Sequence, residues 1–272
     1  MIYNYFSNPV NVLQFLRIFI ALSLCVSSVQ NISNSTYFSS GGLMDWALIK
    51  GFSRSGMLKG KIGEYIFNKK GFIALNILRI LILPFFYQSS NELFFFNLIF
   101  LNLVNWLIYI RTNTMHNAAD QMNNIVLIGL LIGQVFMKIN SIELVIVFFG
   151  LTLILNYFTS GISKFHQEKW HNGYYLRTTL LYRNLENPSY RKAIKKIDKS
   201  VFKISSLIIV YWQVSSVFMP FLPPTVLLVY LFIGFWFHVS TGILLGLNNF
   251  IWTFIGLMPT LIFINSKVYP LL

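Results

Sequence analysis

The sequence predicts an all-α protein, a polytopic transmembrane helix bundle of about eight spans in a single membrane domain covering residues 1–272. Three observations carry this prediction. Hydrophobic residues make up 56% of the chain and charged residues only 11%, whereas a soluble domain carries about 25% charged residues. The apolar residues form continuous runs, and a helical span needs about 20 such residues. The runs lack the apolar–polar alternation that is typical of a transmembrane barrel.

The apolar runs predict the spans in chain order. Pro84 predicts a kink and Pro223–Pro224 a span start, since membrane helices tolerate proline where neighbouring helices satisfy the freed carbonyls. The first run has no basic segment before it and contains Arg17, so we expect a retained helix rather than a signal peptide. The spans are approximately 10–29, 72–88, 92–110, 122–138, 141–162, 201–220, 222–243 and 244–265.

The net charge of +13 reflects membrane topology rather than nucleic-acid binding. Of the 21 basic residues, six fall in 31–71 and nine in 163–200, both loops between predicted spans. Positive loops stay on the cytoplasmic side. With eight spans this places loops 31–71, 111–121 and 163–200 in the cytoplasm and both termini outside, in a multi-pass protein of the cell membrane.

Two loop segments have amphipathic character. Residues 183–200 predict a short basic helix with Ala193, Ile194 and Ile197 on one side, lying along anionic lipid headgroups. A solvated positive stop signal explains the same residues equally well. Residues 38–66 contain several glycines and Trp46, which favours a surface helix or a re-entrant segment covering the bundle.

Several ionisable side chains lie in or beside the apolar runs, where charges are costly and usually paired or functional. Each has a structural and a functional interpretation. Arg17 and Arg79 either snorkel, pair with a carboxylate or contact a substrate. Lys164 is either a snorkelling lysine at a span end or a reactive amine. Trp170 fits an interfacial anchor, and His116 fits a loop histidine followed by Asn117.

His238 lies deep in an unbroken apolar run, so it must be desolvated and hydrogen-bonded inside the bundle. Ser240, Gly242 and Gly246 follow at helical spacing, which allows close helix packing. Asn249 lies about three turns later, near the same predicted helix face. Such a row would line a polar cavity that reaches inward from one surface.

Metal and cysteine chemistry find no support in the sequence. Cys25 is the single cysteine, which excludes an internal disulfide and a CxxC motif. The four histidines show no convergent ligand pattern, and the i, i+5 spacing of His166 and His171 does not suit one helix face. No nucleophile elbow, phosphate loop or HExxH motif occurs.

Two sequence blocks resemble a known family. Residues 157–173, YFTSGISKFHQEKWHNG, are similar to the signature of the HTTM domain, the transmembrane module of vitamin K-dependent gamma-carboxylase and of bacterial relatives. Residues 235–252, FWFHVSTGILLGLNNFIW, resemble a later span of that family, and residues 115–131 are similar more loosely. The wording around Gly161, Lys164 and Gly173 looks most like the sporulation-delaying protein B subgroup.

The resemblance implies a function and a set of site residues. Members of that subgroup are required for the maturation of a secreted peptide toxin, so a peptide precursor and a small partner maturation protein are the implied partners. In the carboxylase the block's lysine deprotonates vitamin K hydroquinone, a role that falls on Lys164, with His116 and His238 as the counterparts of family histidines. Asn117, Trp170, Asn249 and Arg17 are the expected substrate-binding residues.

Two departures bear on this transfer. Nothing in the sequence resembles the large extramembrane domain with which the carboxylase binds its propeptide. The charge pattern also places Lys164 near the cytoplasm, whereas carboxylase chemistry faces the lumen. An error of one span would reverse that orientation.

Three hypotheses therefore stay open. The protein is a maturation factor for a secreted peptide toxin, a quinone-linked carboxylase or epoxidase, or a non-catalytic transport, immunity or scaffold protein. In the first two, Lys164, His116 and His238 converge on a water-poor pocket. In the third, the ionisable side chains only hold helices together. Membrane lipid is a partner in all three.

Overall fold

The computed structural model describes residues 1–51, 60–88, 91–112, 117–136, 139–183 and 188–271, and within them it is helical without strands. Short 3-10 segments at Ser35–Phe38, Ser215–Phe221 and Tyr269–Leu271 supplement the α-helices. The α-helices are α1 Ile2–Phe6, α2 Pro9–Ser33, α3 Trp46–Ile49, α4 Lys61–Phe67, α5 Lys69–Ile82, α6 Phe85–Gln88, α7 Asn91–Thr112, α8 Ala118–Val135, α9 Ile139–Phe165, α10 Glu168–His171, α11 Tyr174–Arg183, α12 Pro188–Lys196, α13 Lys199–Val214, α14 Pro224–Leu245 and α15 Asn248–Val268.

Six stretches of the described chain are long and apolar enough to cross a membrane. Each matches a predicted span to within a few residues at most ends, so the all-α class and the multi-pass membrane character are confirmed. The stretches are Pro9–Ser33, Glu92–Thr112, Ile142–Phe165, Lys199–Phe221, Pro224–Leu245 and Asn248–Leu271.

The other two predicted spans, 72–88 and 122–138, do not qualify. Helix α5 has 14 residues, which gives about 21 Å at 1.5 Å per residue against a hydrocarbon core of about 30 Å. Pro84 lies between α5 and α6, where the helix is interrupted. Helix α8 has 18 residues, and Asp120, Gln121 and Asn123 make its first turns polar. A count of eight spans is therefore not confirmed and stays a prediction.

The chain divides into two compact units. The first unit comprises Met1–Val12, Ile146–Leu247 and Leu257–Leu272. Part of its core is Val12, Ile146 and Phe263. The Asn265 amide donates to the Pro220 carbonyl at 3.0 Å and the Leu222 carbonyl at 2.8 Å, and thereby satisfies backbone acceptors that the 3-10 segment leaves without helical partners.

The second unit comprises Leu13–Val145 and Asn248–Gly256. In this unit the segment before α5 packs around Arg111, a fully buried residue at the end of α7. Arg111 Nε donates to the Phe67 carbonyl at 2.7 Å, and its Nη2 donates to the Met44 carbonyl at 2.6 Å. The Trp46 and Phe67 rings pack in a tilted arrangement with their centroids 4.5 Å apart. Residues 38–51 and 60–66 thus pack on the unit, as the amphipathic pattern predicts, while residues 52–59 lie outside the described residues.

Local signals set several helix ends. Asn117 and Asp120 form a reciprocal capping box at the start of α8. Pro224 occupies the first turn of α14, which confirms the predicted span start. Gly246 ends that helix with φ of 66°, a left-handed conformation that favours glycine.

Candidate functional site

The deepest ionisable side chain of the first unit, His238 of α14, is paired with a tyrosine of α9. Tyr157 and His238 are 3% and 1% exposed, and the Tyr157 hydroxyl is hydrogen-bonded to His238 Nε2 at 2.8 Å. Trp212 packs against Tyr157 with ring centroids 4.8 Å apart. Because water is absent from the interior of a span, a buried imidazole requires such a partner. The predicted burial and hydrogen bonding of His238 are thus observed.

Lys164 lies on the same face of α9, seven residues and therefore about 10 Å along the axis from Tyr157. It is half-buried. Its Nζ donates to the Ser160 carbonyl at 3.1 Å and to the Ser160 hydroxyl. The same nitrogen lies 5.4 Å from the centroid of the Trp170 ring, within the range of a cation–π interaction. The polar atoms around Lys164 are therefore neutral oxygens of its own helix.

The backbone of Trp170 is hydrogen-bonded to a neighbouring span. The Ser206 hydroxyl of α13 donates to the Trp170 carbonyl at 2.5 Å. This bond fixes α10 against the first turns of α13. We call the set Tyr157, Ser160, Lys164, Trp170 and His238 the Lys164 site.

The two glycines of the 157–173 block allow α13 to approach this segment. A Cβ on Gly161 would lie 2.6 Å from the Val214 nitrogen, too close for any side chain. Gly173 has φ of 75°, and a Cβ there would lie 2.5 Å from the Lys203 nitrogen. Glycine is therefore needed at both positions for α13 to pack against this segment.

Two predicted substrate-binding residues meet in the second unit. The Asn117 amide donates to Asn249 Oδ1 at 3.2 Å, and the Asn249 amide donates to Asp120 Oδ1 at 2.9 Å. Thr253 continues the cluster by donating to Asn123 Oδ1 at 3.0 Å. His116 lies outside the described residues, so its predicted convergence with Lys164 and His238 stays a prediction.

The prediction that His238 and Asn249 lie on one continuous helix face is wrong. Helix α14 ends at Leu245, and α15 begins at Asn248 after the left-handed Gly246. A row on one face needs unbroken helix, so the two side chains belong to different helices. The sequence signal for the interruption was Gly246 itself, since glycine is the usual residue just beyond a helix end.

Arg17 contacts an aromatic ring, and no carboxylate pairs with it among the described residues. Its guanidinium carbon lies 3.9 Å from the centroid of the Phe94 ring. The buried Nε of Arg17 has no hydrogen-bond partner among the described residues. A guanidinium stacks well on an aromatic face, which explains how α2 carries this charge beside α7.

A buried network around Arg79 was not foreseen beyond the arginine itself. Arg79 is 2% exposed. Its Nε donates to Ser28 Oγ at 2.7 Å, its Nη1 to Asn105 Oδ1 at 2.7 Å and its Nη2 to Ser27 Oγ at 3.2 Å. Asn105 in turn donates to Asn124 Oδ1 of α8. Serine and asparagine within apolar runs are the signal that would have found it, since they hydrogen-bond across membrane helices.

No family model matches the chain, and neither a curated protein nor a solved structure matches it. Within the described residues no group of three His, Cys, Asp or Glu side chains is placed to hold a metal ion.

Proposed function

We propose that this protein is a bacterial cell-membrane protein required for the maturation of a secreted peptide toxin, and that it acts through the Lys164 site. The observation that carries the proposal is the hydrogen bond between Tyr157 and His238. These residues come from the two separate sequence blocks, 157–173 and 235–252, that resemble the HTTM family. Their contact inside the first unit is the geometry expected if both blocks build one site.

The chemistry of Lys164 supports a role beyond packing. Its ammonium is held by the neutral Ser160 and by the face of Trp170, so its charge is available to a carboxylate or another acceptor on a ligand. It lies at the end of α9, where a substrate at the membrane surface can reach it. Half burial strengthens such an interaction, because the local dielectric is lower than in water.

His238 and Tyr157 supply the inner end of the site. Both are enclosed by the bundle, and a buried hydroxyl–imidazole pair is costly to retain unless its partners are matched. In the proposed function the pair fixes α9 against α14 and sets the position of the Lys164 turn. A small partner maturation protein is proposed to bring the exported precursor to the Lys164 site.

A quinone-linked carboxylase or epoxidase is the second candidate. It is favoured by an amine at an apolar boundary beside an aromatic ring, since a lysine serves as a base when burial or neighbouring cations disfavour its charged form. Lys164 would supply the base, and Trp170 would offer a flat face to a quinone ring. A vitamin K-type hydroquinone would supply the reducing chemistry when bound.

Deletion and complementation in the host bacterium test the main proposal. The deletion strain should accumulate the peptide precursor and release no mature toxin, as measured by mass spectrometry of cells and culture medium. Wild-type protein and Lys169→Ala should restore release, whereas Lys164→Ala should not, at equal protein levels in the membrane. Lys169 is the matched control because it is an exposed lysine of the same segment.

Three outcomes separate the hypotheses. Unchanged toxin release in the deletion strain would overturn the maturation function. Incorporation of labelled bicarbonate into peptide by membranes, dependent on added hydroquinone and lost in Lys164→Ala, would establish the carboxylase. Full activity of Lys164→Ala, with His238→Phe affecting only stability, would favour a non-catalytic scaffold or transport protein.

A further inference from the structure

A basic groove on α12 in the first unit has no part in the proposed function. The groove has a volume of about 400 Å³ and is lined by Pro188, Arg191, Lys192, Lys195 and Lys196. Lys192, Lys195 and Lys196 are exposed. Four cationic side chains within one short helix repel one another unless an anion lies among them.

The position of α12 relative to the spans of its own unit is fixed by its apolar side. Ile194 is 6% exposed and packs in one cluster with Leu180 and Phe202, against which Leu244 and Leu245 also pack. Phe202 belongs to the first turn of span α13, and Leu245 is the last residue of span α14. Helix α12 therefore packs at the ends of these two spans.

The burial of the apolar residues in and just after α12 differs from the sequence prediction. Ala193, Ile194 and Ile197 were expected to share one apolar side, but only Ile194 is buried, and Ala193 and Ile197 are exposed. The helix is therefore anchored on protein by Ile194. Its remaining surface combines the basic groove with exposed apolar residues, a pairing that suits the lipid interface.

Arg191 adds an observation that points to an acceptor. Its Nε is buried and has no hydrogen-bond partner among the described residues. A guanidinium frequently makes a bidentate contact with phosphate or carboxylate oxygens. Arg191, which borders the groove, therefore has a hydrogen-bond donor without an acceptor among the described residues.

We propose that the α12 groove is a binding site for the phosphate headgroup of an anionic phospholipid. Arg191 engages phosphate oxygens, and Lys192, Lys195 and Lys196 surround the negative charge. An acidic peptide segment is also negatively charged. The position of α12 at the span ends, together with the exposed Ala193 and Ile197, favours a ligand that continues into the hydrocarbon layer. The bound lipid would hold α12 at the end of the spans that carry the Lys164 site.

Native mass spectrometry of the purified full-length protein in neutral detergent tests the site. Phosphatidylglycerol, phosphatidylcholine, inorganic phosphate and a poly-glutamate peptide are titrated separately. The variant K192Q/K195Q/K196Q should bind phosphatidylglycerol about a hundredfold more weakly than wild type, as expected from the summed contribution of three surface cations to anionic lipid binding. The charge-preserving K192R/K195R/K196R should stay within about twofold of wild type.

The matched control is K61Q/K69Q/K70Q, which removes three lysines from a loop that the charge pattern predicts on the same membrane face. It should bind phosphatidylglycerol as wild type does. Equal binding by K192Q/K195Q/K196Q and wild type would overturn the proposal, as would equal loss in the control. Stronger binding of poly-glutamate, inorganic phosphate or phosphatidylcholine than of phosphatidylglycerol would also overturn it. Equal elution of all variants from size exclusion verifies that each is folded.

Discussion

Two cations in apolar parts of the chain are held in opposite ways. In the second unit, Arg79 is 2% exposed and donates to Ser27, Ser28 and Asn105, oxygens supplied by two other helices. In the first unit, Lys164 is half-buried and is held by Ser160 of its own helix and by an aromatic face. The first arrangement cross-links helices, whereas the second leaves the charge within reach of a ligand.

This difference predicts that Arg79 serves stability and Lys164 the proposed function. A guanidinium with fixed acceptors on several helices contributes to folding, and its removal leaves those acceptors unsatisfied. An amine bonded to its own helical turn contributes little to helix packing. A charge in an apolar membrane helix is costly, so we expect Arg79 and Lys164 each to have a distinct role.

The largest expected effect is the loss of the Arg79 network. Arg79→Met should lower the free energy of unfolding by about 4 kcal/mol, because buried acceptors on Ser28 and Asn105 lose a charged donor. Thermal unfolding monitored by size exclusion in detergent measures this. Lys70→Met, an exposed lysine on the same helix, should change stability by less than about 0.5 kcal/mol. Equal effects of the two variants would remove the proposed contrast.

Helix approach at Gly161 gives the next largest effect. Gly161→Ala places a Cβ 2.6 Å from a backbone nitrogen of α13, which should cost about 2 kcal/mol because backbone moves only with the whole helix. Gly133→Ala is the matched control in the second unit, since its Cβ would meet a side-chain methyl of Val145 at 2.7 Å. A rotamer change relieves that contact, so we expect less than about 1 kcal/mol. A larger loss in Gly133→Ala would contradict the assigned role of Gly161.

The Tyr157–His238 pair should show a measurable coupling. Tyr157→Phe leaves His238 Nε2 without its hydroxyl, and His238→Phe removes the other partner of the 2.8 Å hydrogen bond. A double-mutant cycle on unfolding should give a coupling of about 1 kcal/mol. Strictly additive effects would show that the pair does not stabilise the first unit.

The smallest effect concerns Asp45, which caps α3. The Gly41 N–H donates to its carboxylate at 2.8 Å and the Ala47 N–H at 3.1 Å, and these bonds lower the pKa of Asp45 below its usual value. The carboxylate is favoured in the folded state, so its stabilisation is present above the unfolded pKa of about 3.9 and is lost as pH falls through the folded pKa.

The corresponding measurement compares wild type with Asp45→Asn. The difference between their unfolding midpoints should be larger at pH 6 than at pH 3, because the asparagine lacks the titrating charge. A difference that does not change with pH would contradict the assigned hydrogen bonds.

Most span positions and the burial of His238 were predictable from the sequence, because both follow from composition along one segment. Six apolar runs gave spans near their expected bounds, and the depth of His238 in its run predicted its burial. The predicted span 72–88 is longer than α5 because its apolar run continues past the interruption at Pro84 into α6. A run of suitable composition does not ensure one unbroken helix.

Partners across helices were not predictable from one sequence. Tyr157 is the first residue of the 157–173 block, yet nothing local marks it as the partner of His238. The acceptors of Arg79 come from α2 and α7, and their register is fixed by packing in three dimensions. The contact of Arg17 with Phe94 likewise depends on which residue of a neighbouring helix faces it.

The most direct test measures thermal stability and mature-toxin release together for Lys164→Met and Arg79→Met in the host membrane. We expect residue 164 to govern conversion of the precursor while leaving the melting temperature near that of wild type, and residue 79 to govern the melting temperature. Normal release from a stable Lys164→Met protein would contradict the account, because the Lys164 amine would then not be required for maturation of the toxin.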